Sequence, residues 1–357
     1  MLRRCLRNLW GGSHKGTKMT HFLHIKSRIN KIGKFFTRVR TNGFVGLLIS
    51  AVVLGWLLPD VGAREGALSL SALANYGISV IFFFYGLRLS RKKLRIGLGN
   101  WRLHILIHLI TFVLFPLLII SIRPLFYEEN HTVLWLGIFY LAALPSTVSS
   151  SVVMVSLAGG NVPAAIFNAS ISSLIGVFIT PLWMGMILSG AVGIDIAGLW
   201  NIIGKLVLQI LFPVALGMAL NRRWGAFAEK YQNTLRLFDQ SIILLIVYTA
   251  FCASFAHHVF DGFSWIMLVG CAAGMVLLFF VVYLVIGWVC RRMKMTREDT
   301  ITAQFCGSKK SLIHGTAMSK VIFSGYSSIG VILMPIMLYH ILQLLVVSAL
   351  AKRIKSI

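Results

Sequence analysis

The stretch Phe305-Cys306-Gly307-Ser308-Lys309-Lys310-Ser311 carries the strongest architectural signal in this chain. It places two adjacent lysines inside an apolar segment that runs from about Thr300 to Phe323. A charged side chain near the centre of a bilayer costs about 2.5–3.5 kcal/mol on insertion scales. Glycine and serine at the same point are poor helix formers. We therefore interpret the stretch as an interruption of a membrane helix that belongs to a binding site.

The composition of the whole chain is typical of a multi-span membrane protein. Of its 357 residues, 57% are hydrophobic and only 12% are charged, whereas soluble domains have about 25% charged residues. The net charge of +24 would suit a nucleic-acid partner, but the basic residues lie between apolar runs as long as a bilayer-spanning helix. We therefore expect no nucleic-acid binding. The five cysteines show no metal-ligand spacing, so we expect no metal site.

Ten apolar segments follow a basic N-terminal segment, residues 1–41, which holds eleven lysines or arginines and no acid. Each segment is long enough to be a membrane span. The sequence therefore predicts an all-α membrane protein with ten transmembrane helices. The predicted spans are approximately 42–59, 70–88, 103–122, 132–157, 162–189, 197–220, 237–256, 263–289, 300–323 and 328–350.

The distribution of charge predicts the orientation of these spans. If the N-terminus is cytoplasmic, the inside segments hold twenty-eight lysines and arginines and the outside loops hold two. Basic residues remain on the cytoplasmic side of a membrane, so we expect both termini to be cytoplasmic. The acidic residues lie on outside loops or near the inner surface, and none lies at the centre of a span. The predicted membrane interior is therefore cationic, with Lys309 and Lys310 placed most deeply.

Ten spans divide into two sets of five, residues 42–190 and 197–350, and an odd number turns the second set upside down. This is the inverted-repeat plan of many secondary transporters. The fourth span of each set is unusual: one contains Leu144-Pro145-Ser146-Thr147-Val148-Ser149-Ser150-Ser151 and the other contains the two lysines. Proline, glycine and hydroxyl runs at membrane depth open the backbone hydrogen-bond ladder. Two such breaks at matching positions predict a binding site, although serine stripes also serve helix packing.

These residues resemble a known family. The Pro-hydroxyl break of span four, Gly159-Gly160-Asn161-Val162 leading into Ala165-Ile166-Phe167-Asn168, and Phe305–Leu312 in span nine are similar to the bile acid:sodium symporter superfamily, in particular its cotransporter 7-like branch. The resemblance covers roughly residues 40–350. It implies a panel domain from spans 1, 2, 6 and 7 and a core domain from spans 3–5 and 8–10. Spans four and nine would be broken and cross within the core.

The resemblance also implies a site, and the sequence departs from it. In sodium-coupled relatives, hydroxyls of spans four and five, with a glutamate and a glutamine of span nine, hold two sodium ions. Here Gln304 stands at the glutamate position, and Ser308 and Lys309 replace the following glutamine and asparagine. The expected substrate-binding or ion-binding residues are Thr147, Ser149, Ser150, Ser151, Asn168, Ser172, Ser173, Gln304, Ser308, Lys309, Lys310 and Ser311.

Three readings of the lysines remain open. A sodium site needs oxygen ligands, and here the carboxylate is gone while two ammonium groups have arrived. Lys309 or Lys310 would then replace the coupling ion, or it would bind an anionic substrate directly with help from half-helix N-termini. In the third reading, one lysine extends into a water-filled crevice. His314 and His340 are candidates for a proton relay, and His340 and Gln343 on span ten are expected to line the crossing.

The sequence thus predicts a secondary active transporter that moves an organic, amphipathic anion by alternating access and is sodium-independent or proton-linked. The alternatives are a sodium-coupled organic anion symporter and a non-transporting sensor or channel. An enzyme is not expected, because the spans carry no acid and no metal or nucleophile motif. We expect no cofactor apart from a coupling ion, sodium or proton. The expected partners are a small organic anion and the lipid bilayer, in a bacterial inner membrane.

Overall fold

The computed structural model describes residues 43–63, 69–88, 99–126, 129–192, 200–201, 204–260, 264–324 and 326–355. Helix accounts for 88% of these residues, and none of them forms a strand. A helix satisfies its own backbone hydrogen bonds, as the interior of a bilayer requires. The predicted basic segment 1–41 lies outside the described residues, so its expected structure stays a prediction.

The helices of the described residues follow one another with short connections. In chain order they are α1 Gly43–Leu57, α2 Pro59–Ala63, α3 Leu70–Arg88, α4 Trp101–Ser121, α5 Glu129–Ala143, α6 Ser149–Leu157, α7 Val162–Val192, α8 Gly204–Lys230, α9 Gln232–Ala256, α10 Trp265–Arg292, α11 Arg297–Gly307, α12 Leu312–Ile322 and α13 Ile329–Lys355.

Seven helices in the described part of the chain are long and apolar enough to cross a membrane: α3, α4, α7, α8, α9, α10 and α13. They coincide with seven of the ten predicted spans. The predicted first span is the shorter apolar helix α1, and the predicted spans four and nine are each divided into two helices, α5–α6 and α11–α12. An all-helical fold is therefore confirmed, while ten crossings arranged as an inverted repeat stay a prediction.

The chain divides into two compact units. The first, Met1–Ile49, contributes only the beginning of α1 to the described residues. The second, Ser50–Ile357, contains the rest of α1 and all the other helices. Every residue of the candidate site lies in this second unit.

Both interruptions fall where the sequence predicts them. Helix α5 ends at Ala143 before Pro145, which has no backbone N–H, and α6 begins at Ser149. Helix α11 ends at Gly307, and the side chain of Ser311 caps α12 by accepting a bond from the N–H of His314. The segments 144–148 and 308–311 therefore contain backbone groups that have no hydrogen-bond partner within a helix.

A buried carboxylate joins three helix starts at one end of the structure. The side chains of Asn100, Asn161 and Thr296 accept bonds from the first turns of α4, α7 and α11. The same two asparagines donate their amide N–H groups to Asp299, at 2.6 Å and 2.9 Å. Helix N-termini favour a negative charge, so Asp299 stabilises all three starts together.

Further contacts connect the predicted inside ends of several spans. Arg88 at the end of α3 forms an ion pair with Asp239 of α9 at 2.7 Å. The N–H of Asn161 donates to the carbonyl of Glu298 at 3.3 Å, and Arg297 donates to the carbonyl of Ile354 at 3.1 Å. These contacts join segments that the charge pattern assigns to one side of the membrane.

Candidate functional site

The two interruptions contact each other directly. The N–H of Ser311 donates to the carbonyl of Pro145 at 2.9 Å. In the opposite direction, the hydroxyl of Ser146 donates to the carbonyl of Cys306 at 2.6 Å. Because each break satisfies backbone groups of the other, the two broken segments form one unit, here called the crossing, composed of residues 144–151 and 305–311.

The side chain of Lys310 lies in a cage of backbone carbonyls. It is 1% exposed, and its Nζ donates to the carbonyl oxygens of Thr111 at 2.8 Å, Ala142 at 2.6 Å and Leu144 at 2.9 Å. The same Nζ lies 4.1 Å from the centre of the Phe115 ring, a distance suited to a cation–π contact. A lysine ammonium has three donors, and here all three have a partner.

Two of these carbonyls are free because α5 stops at the break. The last carbonyls of a helix have no partner within it. The carbonyls of Ala142, in the last turn of α5, and of Leu144, directly after the helix, accept from Lys310, and that of Ala143 accepts from the hydroxyl of Thr180 at 2.8 Å. The C-terminal end of a helix also attracts a positive charge. Lys310 is therefore an internal cap for the broken helix.

The third carbonyl is free because of a proline in α4. Residues Ile110–Leu114 form a π-helical turn, in which each N–H bonds the carbonyl five residues earlier, as Phe115 does with Ile110. Pro116 has no N–H, so the carbonyl of Thr111 lacks this partner. It accepts from Lys310 instead.

Gln343 of α13 holds the peptide of Lys310 in place. Its Oε1 accepts from the N–H of Lys310 at 2.9 Å, and its Nε2 donates to the carbonyl of Lys310 at 2.9 Å. Gln343 is 1% exposed, and its amide orientation is fixed by these two bonds. Its Nε2 also lies 3.0 Å from Nδ1 of His340, so both α13 residues predicted to line the crossing lie beside it.

Lys309 occupies a different, hydroxyl-lined environment. It is fully buried, and its Nζ donates to Oγ of Ser150 at 3.1 Å, its one hydrogen bond within the described residues. Ser150 donates to Oγ1 of Thr147 at 3.0 Å, Thr147 contacts Oγ of Ser151 at 2.7 Å, and Ser151 donates to the carbonyl of Phe305 at 3.4 Å. The hydroxyl oxygen of Ser150 thus faces the ammonium group. The side chain of Ser149, also predicted, lies outside the described residues.

The predicted residues of span five, in α7, line the crossing only in part. Oγ of Ser172 accepts from the N–H of Ser146 at 3.0 Å, which brings it into the crossing. Ser173 donates within α7 to the carbonyl of Ala169 at 3.1 Å. Asn168 is buried and donates to the carbonyl of Ala164 at 2.8 Å, while its Oδ1 has no partner among the described residues.

Two predicted residues of span nine direct their side chains elsewhere. Gln304 donates to the carbonyl of Tyr283 in α10 at 3.3 Å. The side chain fits there because residue 287 is glycine. A Cβ at that position would lie only 2.7 Å from Nε2 of Gln304. Ser308 donates to the carbonyl of Gln304 at 2.6 Å, within its own helix end. The side chain of Gln304, which stands at the position of the family's glutamate, therefore bonds to α10 and not to the crossing.

The two histidines predicted as a proton relay form hydrogen bonds with residues other than the lysines' ammonium groups. Nδ1 of His314 lies 2.9 Å from Oγ of Ser311, and its ring packs against Phe82 of α3 at 5.3 Å between centroids. Nδ1 of His340 contacts Gln343. A relay from either histidine to a lysine stays a prediction.

Sequence reasoning missed the carbonyl cage and Ser146. A backbone carbonyl cannot be recognised from the residue type that carries it. Pro116 and Pro145, however, each lack a backbone N–H, and these two prolines are the sequence feature that could have indicated the cage. No acid among the described residues forms an ion pair with Lys309 or Lys310. The described residues also contain no group of three or more histidines, cysteines or acids placed to hold a metal ion.

The crossing therefore holds the two ammonium groups of Lys309 and Lys310 against hydroxyl and carbonyl oxygens. The profile of the SBF-like CPA transporter family matches residues 42–356. This chain belongs to that family. The family is of the bile acid:sodium symporter type, so the resemblance stated from the sequence is confirmed. The protein is accordingly a transporter-family member rather than an enzyme, and it is an integral, multi-pass membrane protein.

Individual relatives align along nearly the whole chain. A Pseudomonas aeruginosa protein is 41% identical over 316 residues, which covers 88% of this chain and 93% of that protein. The Escherichia coli protein YfeH is 36% identical, covering 87% of this chain and 92% of its own length. Sodium/bile acid cotransporter 7-B of Xenopus laevis is 29% identical, covering 89% and 93% respectively.

Proposed function

We propose that this protein is a secondary active transporter that moves an organic, amphipathic anion by alternating access, and that Lys309 and Lys310 occupy positions that sodium ions fill in sodium-coupled relatives. The transporter would then be sodium-independent or proton-linked. The observation that carries the proposal is the cage of three carbonyl oxygens around Nζ of Lys310. Carbonyl oxygens are also the ligands that replace the hydration shell of an alkali cation in channels.

The two lysines would have different roles. Three acceptors require three N–H donors, which only the charged ammonium form supplies, so Lys310 acts as a fixed positive charge. Lys309 has one hydrogen bond to Ser150, so a change of partner breaks one hydrogen bond, compared with three for Lys310. Lys309 is therefore the residue that would contact the anion or release a proton during the cycle.

The architecture implied by the family fits the observed contacts. The core domain would contain α4–α7 and α10–α13, and its inner ends are joined through Asp299 and the two asparagines. The panel domain would contain α1, α3, α8 and α9, and the pair Arg88–Asp239 connects two of these helices. The basic segments would place both termini in the cytoplasm of a bacterial cell, with the protein in the inner membrane.

The substrate class follows from charge and surroundings. Two buried ammonium groups that have no carboxylate partner in the described part of the chain favour an anion, because a buried charge needs compensation. The apolar residues around the crossing favour a ligand with an apolar body. A relative named sodium/bile acid cotransporter 7 makes a bile acid a sensible first compound in a wider screen of organic anions.

A sodium-coupled symporter is the second candidate, and the name of that relative is the observation that favours it. The two candidates are separated by uptake into proteoliposomes with an inward gradient of sodium, of potassium, or of protons. We expect equal uptake with sodium and potassium, and faster uptake with a proton gradient if Lys309 is coupled. Uptake that requires sodium would support the second candidate. A lack of counterflow would indicate a channel or sensor.

A further inference from the structure

His314 is a buried residue whose hydrogen bonding is incomplete. It lies in the first turn of α12, directly after the crossing, and is 4% exposed. Its Nδ1 is paired with Ser311, whereas its Nε2 is buried and has no hydrogen-bond partner within the described part of the chain. Native proteins rarely leave a buried polar atom unpaired, so such an atom calls for a reason.

The pairing at Nδ1 determines which hydrogen is left over. Oγ of Ser311 already accepts the backbone N–H of His314 at 3.3 Å as the cap of α12. Among the described residues the hydroxyl hydrogen of Ser311 has no acceptor other than Nδ1, 2.9 Å away, so we assign it to Nδ1. A neutral imidazole that accepts at Nδ1 carries its hydrogen on Nε2. The unpaired group is therefore an N–H donor, and its natural partner is an acceptor oxygen.

The surroundings of this donor are aromatic and belong to another helix. The ring of His314 meets Phe82 at 5.3 Å and Tyr85 at 6.1 Å between centroids, edge to face in both cases. Tyr85 already uses its hydroxyl hydrogen, because it donates to the carbonyl of Ser170 in α7 at 3.3 Å. Neither α3 residue forms a hydrogen bond with Nε2 within the described part of the chain, and both place aromatic rings beside it.

We infer that His314 is a substrate-binding residue: its Nε2–H donates to an oxygen of a carboxylate or sulfonate headgroup, and the apolar body of the ligand packs on Phe82 and Tyr85. This inference rests on the proposed function, since α12 and α3 belong to the two domains that would move apart. A donor at that boundary stays unpaired when no ligand is present and gains its partner when the anion enters. The assignment differs from a proton relay, because within the described residues no chain of side-chain hydrogen bonds leads from His314 to either lysine.

The test separates the aromatic ring of His314 from its N–H donor. His314→Phe removes the N–H donor and retains an aromatic ring, and His314→Gln retains an N–H donor. His108→Phe is the matched control, because both ring nitrogens of His108 also lack a partner among the described residues, but it is only half-buried and packs on Phe112 of its own helix. The full-length proteins are titrated with cholate, taurocholate, octanoate and benzoate, and with uncharged methyl cholate, while melting temperature and tryptophan fluorescence are recorded.

We expect at least one of the four anions, and not the methyl ester, to bind the unmodified protein. His314→Phe removes the unpaired donor but also the bond between Nδ1 and Ser311, so its melting temperature should fall by no more than the loss of one hydrogen bond allows. Its affinity should fall about tenfold or more. His314→Gln should bind with intermediate affinity, and His108→Phe should bind normally.

Each other result has a definite meaning. Unchanged affinity in His314→Phe would overturn the inference and leave the proposed function standing. A melting temperature of His314→Phe that falls by much more than one hydrogen bond accounts for would contradict the premise that Nε2–H has no partner in the described part of the chain. Binding of none of the four anions by the unmodified protein would count against the proposed function itself, and the inference would fall with it.

Discussion

Replacement of Lys310 by methionine should destabilise the protein while nearly preserving its volume. The substitution removes three hydrogen bonds, to Thr111, Ala142 and Leu144. Hydrogen bonds inside membrane proteins contribute about 0.6–1.7 kcal/mol each, so the three together give about 2–5 kcal/mol. We expect a fall of several degrees in the melting temperature of the purified protein. Lys205→Met, at an exposed position of α8, is the control and should change little.

The same site allows a chemical rescue. Lys310→Ala leaves three carbonyl oxygens around a space that a small cation can enter. If Lys310 replaces a coupling ion, sodium or ethylammonium should raise the melting temperature of this variant above its value in choline at equal ionic strength. The unmodified protein should show no such response. A Lys310→Met variant as stable as the unmodified protein would refute the reasoning, as would an Ala variant that is indifferent to every cation.

Three further predictions concern residues around the crossing and the inner end. Lys309→Met should fold with a near-normal melting temperature but lose at least about tenfold in affinity for the anion that binds. The reason is that a hydrogen bond to a charged group contributes about 1.5–3 kcal/mol. Unchanged anion affinity would contradict the proposed role of Lys309. Gln343→Leu should lower the melting temperature by several degrees, because both peptide groups of Lys310 lose their partner; unchanged thermal unfolding would argue against this clamp. Asp299→Asn should destabilise the protein by about 1–3 kcal/mol, because one of two amide donors loses an acceptor. The lower stability should appear as faster proteolysis of the variant. Unaltered cleavage would count against a shared cap of the three helices.

The sequence predicted the breaks in spans four and nine, because proline, glycine and hydroxyl residues interrupt a helix wherever they occur. It also predicted that the lysines lie at the crossing, since a charge in an apolar segment must find polar partners. It did not separate the two lysines. Lys310 reaches carbonyls and Lys309 reaches a hydroxyl, and this difference depends on side-chain direction across four helices.

The position of Gln304 could not be predicted for a related reason. The resemblance stated from the sequence implies that it stands at the position of a sodium-binding glutamate, but the absence of a side chain at residue 287 opens a space for it against α10. Packing across helices, and not the residue type, determined its direction. The cluster at Asp299 likewise depends on three helix starts that are remote in sequence, so no local sequence pattern predicts it.

The most direct test of the central claim is uptake by the unmodified protein in proteoliposomes, with the anion that stabilises it, under matched inward gradients of sodium and potassium. We expect equal initial rates in the two salts, because in the proposed mechanism the Lys310 ammonium, bound by three carbonyls, takes the place of the coupling cation. Uptake that proceeds in sodium and stops in potassium would contradict it.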